Sequence, residues 1–186
     1  GTSGNQDCLK ISGVDDFWIY DSTFQSCGAA EAIDGVGCHN GVVSGNHFYN
    51  LQNSGSAVQF KGGSEDIEIR ANLFENAGDR AINMGGSTGL AFFRPPVSEV
   101  QPNAEARNIR AVANVIRGSQ SAIAFTGCVD CLAANNTVDT PERWVIRILQ
   151  ESTTSGAVEF LPASNGRFIN NIVYFDGQVS SAVNIG

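Results

Sequence analysis

Seven short apolar segments recur along the chain at nearly constant spacing, and no other feature constrains the fold as much. They are Leu9-Lys10-Ile11, Ile33-Asp34, Val58-Gln59-Phe60, Ile82-Asn83-Met84, Ile123-Ala124-Phe125, Ile146-Arg147-Ile148 and Val183-Asn184-Ile185. Their first residues lie 24, 25, 24, 41, 23 and 37 positions apart. The two long intervals equal one period of 24 plus 17 and 13 inserted residues. A repeat of this length signals a solenoid, propeller or array, in which each unit buries its apolar face only against its neighbours.

Two further columns keep the same phase. Ser22-Thr23-Phe24, Asn46-His47-Phe48, Asn72-Leu73-Phe74, Asn114-Val115-Ile116, Asn136-Thr137-Val138 and Asn171-Ile172-Val173 share the form Asn (once Ser), any residue, large apolar residue. Three residues before each sits Ile19, Val43, Ile69, Ala111, Ala133 or Phe168. Apolar and polar residues alternate with period two, so each segment reads as a half-buried strand. Three strands per repeat, with Gly- and Asp-rich corners, describe one coil of an all-β, single-stranded right-handed parallel β-helix of about seven coils. Stacked coils place like residues in columns, and the Asn column becomes a hydrogen-bonded ladder. A β-sandwich would instead show hairpin signals, and a leucine-rich repeat its Leu spacing.

The insertions span roughly 86–108 and 150–166, and both leave from the end of the first strand. Long insertions in a repeat protein usually gather on its binding face. Down that face the outward column reads Lys10, Asp34, Gln59, Asn83, Ala124, Arg147 and Asn184, with Lys61 beside it and Glu31, Arg80 and Trp144 at the leading corner. A flat stack with a repeat of about 4.8 Å suits a linear polymer.

Lys61 and Arg80 can neutralise a uronate carboxylate and take a C5 proton. Asp34 with Glu31 can form an acid/base pair or hold Ca²⁺; no metal site is otherwise called. Lys10, Gln59, Asn83, Trp144, Arg147 and, from the first insertion, Arg94 are the expected substrate-binding residues. Trp144 would stack on a sugar or cap the core corner, and Arg147 would clamp an anion or pair with Glu151 or a neighbouring coil. His39 and His47 lack an adjacent nucleophile and third partner, and read as surface residues.

A net charge of −8 argues against nucleic acid as a partner. No apolar run reaches the roughly 18 residues of a spanning helix. Five Cys at scattered spacing are not a disulfide framework, and the one CxxC, Cys128 to Cys131, lacks further zinc ligands, so buried thiols are the expectation, with a bond between Cys128 and Cys131 left open. The chain starts at Gly1 without Met, and neither residues 1–7 nor 182–186 read as a polar cap. We therefore expect part of a longer β-helix, or copies that associate end to end.

The Asn-x-apolar column, and stretches such as Asp66-Ile67-Glu68-Ile69-Arg70-Ala71-Asn72-Leu73-Phe74, resemble the pectate-lyase-like superfamily, in particular bacterial secreted right-handed parallel β-helix repeat proteins. Phe60-Lys61 is similar to the strand that supplies a catalytic Lys in alginate lyases and chondroitinase B, although the matching Arg one coil later falls near Gly85. Phe17-Trp18-Ile19-Tyr20-Asp21 is similar to a Trp-Ile-Asp-His strand of pectate lyases, with Tyr20 and Asp21 in place of Asp-His. Arg94-Pro95-Pro96 is similar to the region carrying their catalytic Arg, without a second Arg nearby. The resemblance implies a secreted or cell-surface protein that interacts with polysaccharide, lyase-like if catalytic. The alternative is a non-catalytic carbohydrate-binding or adhesive module, or a structural β-solenoid fragment.

Overall fold

A computed structural model describes residues 6–51, 55–177 and 179–186. The expectation of no cap at residues 1–7 therefore falls, for residues 1–5, outside the described part. The fold is all-β, and every named strand pairs in parallel with its sheet neighbours. The first sheet holds β1 (Leu9–Ser12), β4 (Ile33–Val36), β7 (Ser56–Lys61), β10 (Arg80–Gly85), β13 (Ser121–Thr126), β17 (Trp144–Leu149) and β20 (Ser181–Ile185), in that order. The second holds β2 (Asp15–Tyr20), β5 (His39–Ser44), β8 (Ser64–Arg70), β11 (Ala106–Val112), β15 (Leu132–Ala134) and β18 (Arg167–Ile169), with β14 (Cys128–Val129) also on β11. The third holds β3 (Thr23–Gln25), β6 (His47–Tyr49), β9 (Leu73–Glu75), β12 (Val115–Arg117), β16 (Thr137–Asp139) and β19 (Ile172–Tyr174). Each repeat thus adds one strand to each sheet in turn, which is consistent with a β-solenoid. No α-helix occurs among the described residues, and no helix is long and apolar enough to cross a membrane.

The register follows the sequence columns. Lys10 aligns with Asp34, Asp34 with Gln59, Gln59 with Asn83, Asn83 with Ala124, Ala124 with Arg147 and Arg147 with Asn184. The core lies between the three sheets, and Ile33, Val58, Ile82 and Ile123 on the first face Val43, Ile67, Ile69 and Ile109 on the second. On the third sheet, Phe24, Phe48 and Phe74 stack with centroids 5.0 and 4.8 Å apart, the spacing of neighbouring strands. Gly35 fills one inward position because a Cβ there would come within 2.2 Å of the Phe60 ring.

The ladder forms as expected. Asn46 donates its N–H and its side-chain amide to Asn72 Oδ1 at 2.9 and 3.0 Å, and the pattern repeats from Asn72 to Asn114, Asn114 to Asn136 and Asn136 to Asn171. Each amide also reaches a carbonyl one strand back, as Asn72 does to Val43 at 3.0 Å. The residue before each ladder position has positive φ: Asp21, Gly45, Ala71, Ala113, Asn135 and Asn170. One left-handed residue therefore turns the chain from the second sheet to the third. Ala71 and Ala113 adopt that conformation against a cost of roughly 1–2 kcal/mol, which the ladder bonds on either side offset.

The cysteine expectation needs correction. Cys8 and Cys27 form a disulfide across 19 residues, with Cα atoms 5.2 Å apart, and Cys128 and Cys131 are bonded to each other. Three strands bring the chain back beside its own start, so residues 19 apart meet at a corner that linear spacing does not reveal. Cys38 alone is a free, buried thiol, and burial pushes its pKa up.

Candidate polar groove

The stretch between β10 and β11 folds back over the first sheet instead of extending into solvent. It contains one 3-10 turn, Leu90–Phe92. A Cβ on Gly86 would sit 3.2 Å from the Lys61 stem and 3.4 Å from Gln59, so the loop backbone lies directly on that face. The outward column, read from the sequence as the binding face, is buried at its centre: Asp34, Gln59, Asn83 and Ala124 are at most 5% exposed. Asn83 donates to Gln59 Oε1 at 2.6 Å and accepts from Thr126 at 2.6 Å. Gln59, Asn83 and Thr126 thus satisfy one another, as buried polar groups do, whereas Asp34 Oδ1 accepts no hydrogen bond from the described residues and has Lys61 Nζ at 3.6 Å.

What holds the loop is Glu105, which the sequence reading missed. It is 1% exposed. Its carboxylate accepts from the Gly62 N–H at 2.9 Å, the Thr88 N–H at 2.9 Å, the Thr88 hydroxyl at 2.8 Å and the Ser152 hydroxyl. One side chain thus joins the turn after β7 to both long connections. Phe93 packs against Phe160 at 5.4 Å, with Val158 and Val97, and forms a second bond between the same two segments.

A polar pocket of about 250 Å³ remains open beside the loop. Glu31, Gln59, Lys61, Arg80, Arg147 and Glu151 line it, with Asp79 and Ser87. The structure thus brings together five residues named from sequence: Glu31, Gln59, Lys61, Arg80 and Arg147. Glu151 pairs with Arg80 at 2.7 Å, not with Arg147. Arg147 donates to Asn184 at 3.2 Å instead. Burial, and after it the nearby charge of Arg80, lowers its pKa.

Asp34 lies beneath this pocket at 1% exposure, and its two oxygens face two ammonium groups. Lys10 bonds Oδ2, and Lys61 Nζ is 3.6 Å from Oδ1. Burial works against the charge of Lys10, but the hydrogen bond and charge of Asp34 outweigh it and raise its pKa. Asp34 is placed to position both lysines.

Glu31 is perturbed most. Burial, then a hydrogen bond with Asp7, then the charge of Asp34 push its pKa up to about 7. Gly55 makes room for it, since a Cβ there would lie 2.9 Å from Glu31 Oε1. Asp7, Glu31, Gly55 and Asp79 are spaced 24 apart (31 − 7, 55 − 31, 79 − 55), a corner column that sequence reasoning overlooked. Asp7, Glu31 and Asp34 present oxygens within 4.8 Å of one another. Calcium asks for six to eight oxygen ligands and ionised carboxylates. Here only three carboxylates converge, and Lys10 and Lys61 already face the two oxygens of Asp34, so the trio by itself falls short of a Ca²⁺ ligand set.

Other expected residues serve different ends. The guanidinium groups of Arg143 and Arg147 both lie over the Trp144 ring, at 4.3 and 4.4 Å from its centroid, so its face seats cations. Arg94 lies away from the pocket. It pairs with Asp15 and donates to the Gly37 carbonyl at 3.2 Å, which pins the long connection to the corner after β4. His39 contacts Asp15 and the Gly63 carbonyl, and His47 contacts Glu75 at 2.8 Å.

Comparison with protein-family models, characterised proteins and solved structures gave no match to this chain. Its chemistry is therefore argued from the groove itself.

Proposed function

We propose that this chain is a right-handed parallel β-helix of about seven coils, of the pectate-lyase-like kind, secreted or displayed at the cell surface, whose groove takes an acidic polysaccharide and cleaves it by β-elimination. Right-handedness follows from the crossover rule for parallel strands, obeyed in about 98% of cases. The observation that carries the reading is a carboxylic acid, Glu31, whose pKa is pushed up to about 7 in a pocket with Lys61, Arg80 and Arg147.

In this reading Arg80 and Arg147 pair with the uronate carboxylate and make the neighbouring C5 proton more acidic. Lys61 acts as the neutral amine, after its ammonium proton has passed to solvent: the amine takes the C5 proton, the electron pair forms the C4–C5 double bond, and the C4–O bond breaks. Protonated Glu31 gives its proton to the departing oxygen. Asp34 acts by holding Lys61.

The test is incubation with pectate, alginate and glycosaminoglycans, with and without Ca²⁺, following the ultraviolet absorbance of the unsaturated product. Lys61→Ala should abolish it. Binding without product across that panel would leave a carbohydrate-binding module, and absence of both would overturn the proposal.

A further inference from the structure

We propose a second saccharide subsite beside the first, in the pocket lined by Lys10, Val36, Lys61, Ser87, Thr88 and Phe92, so that the groove reads at least two consecutive sugars of one chain. The inference rests on the reading of the polar pocket as a site for acidic glycan. Three observations carry it.

The first is continuity. This pocket of about 200 Å³ shares Lys61 and Ser87 with the polar pocket, so a linear ligand passes from one to the other without leaving the surface. The second is a change of character. The polar pocket is lined by charged groups of both signs, whereas its neighbour offers one further ammonium, three hydroxyls (Ser12, Ser87 and Thr88, the last donated to Glu105), the Val36 side chain and an aromatic ring. A pyranose has a polar rim and a flatter apolar face, and this lining matches both. Lys10 and Lys61 are held by the two oxygens of one buried carboxylate, Asp34, which fixes the position of one cation in the second pocket relative to the cation at the junction.

The third is the presentation of Phe92. Phe92 is 69% exposed on a segment that is otherwise tied down. Its N–H bonds the Gly89 carbonyl at 2.9 Å, the next residue, Phe93, is buried against Phe160, and Thr88 is fixed by Glu105. An apolar ring on a backbone already fixed at the lip of a groove leaves only its own side-chain torsions to be ordered when ligand arrives, and exposed apolar surface at a concave site marks recognition.

The test compares galacturonate and mannuronate oligomers of one, two and three units by calorimetric titration. Wild type should gain roughly tenfold in affinity from monomer to longer oligomers, the increment expected for covering about half of a Phe side chain. Phe92→Ala should lose that increment while monomer affinity stays unchanged, and the exposed position means the variant folds with an unaltered thermal midpoint. Lys10→Ala should weaken the longer oligomers in a salt-dependent way. A Phe92→Ala protein that keeps the full gain with chain length would overturn the subsite and leave the polar pocket standing. A wild type that binds none of the oligomers would overturn both.

Discussion

Replacing Glu105 by Ala tests whether one buried carboxylate holds the groove together. Four donors converge on it, and two of them, the N–H groups of Gly62 and Thr88, are backbone groups that cannot rotate towards water. Hydrogen bonds to a charged group are worth about 1.5–3 kcal/mol each, so those two alone represent about 3–6 kcal/mol. Removing the buried charge returns part of this, because the carboxylate no longer has to be kept out of water. The expected net loss is about 3 kcal/mol. For a chain of 186 residues, each kcal/mol moves the midpoint by about 2–4 °C, so the variant should melt roughly 6–12 °C lower by circular dichroism. Hydrogen exchange should show the Gly62 and Thr88 amides losing protection while the Asn-ladder amides keep theirs. Glu142→Ala, on an exposed glutamate, is the control and should change nothing. A Glu105→Ala protein with the wild-type midpoint and both amides still protected would refute the reasoning.

Three further outcomes are expected. Asn114→Ala leaves the Asn72 N–H and amide without their acceptor and the Ile69 carbonyl without its donor. It should cost about 2–4 kcal/mol in chemical denaturation, against about 1 kcal/mol for the half-buried edge member Asn171→Ala; equal costs would show that the ladder does not act through its buried bonds. For Glu31, the folded state holds the proton more tightly than the unfolded chain, where the ordinary value is 4.5. The stability it contributes is full below about 4.5 and is lost as pH rises through about 7. The thermal midpoint should therefore fall across that window in wild type and stay flatter in Glu31→Gln, and parallel profiles would exclude a raised Glu31. Finally, Cys8→Ser should cost about 3 kcal/mol by releasing a loop of about twenty residues, measurable as a lower midpoint under non-reducing conditions only.

The sheets and their register were legible from the chain because each repeat adds a strand to the same three sheets, so every column is sampled several times. Leu9 to Val183 and Asn46 to Asn171 each declare themselves by phase. The groove was partly legible for the same reason, since Lys61, Arg80 and Arg147 lie on or beside the first-sheet column. Its covering was not. Residues 86–105 occur once, and nothing periodic says that Thr88 and Ser152 meet at Glu105. The burial of Asp34 and Asn83 depends on that covering, and so was hidden with it. The Asp7, Glu31, Gly55, Asp79 column was present in the spacing but lies at a corner, where residue type varies too much to attract notice. The Cys8–Cys27 bond crosses a corner too, at a separation shorter than one repeat.

The register between β10 and β13 is the same kind of alignment as that between β7 and β10, although 41 residues separate Ile82 from Ile123 and only 24 separate Val58 from Ile82. Distance along the chain and distance across the sheet are thus uncoupled wherever the extra residues leave after the first strand. Such a frame accommodates connections of different length: a different loop grafted between Thr88 and Glu105, with both kept, would meet the same Gly62 turn and the same strand pitch. The scaffold behaves as a rack of equivalent sockets, and what the groove recognises can be rewritten without disturbing the rungs that carry it.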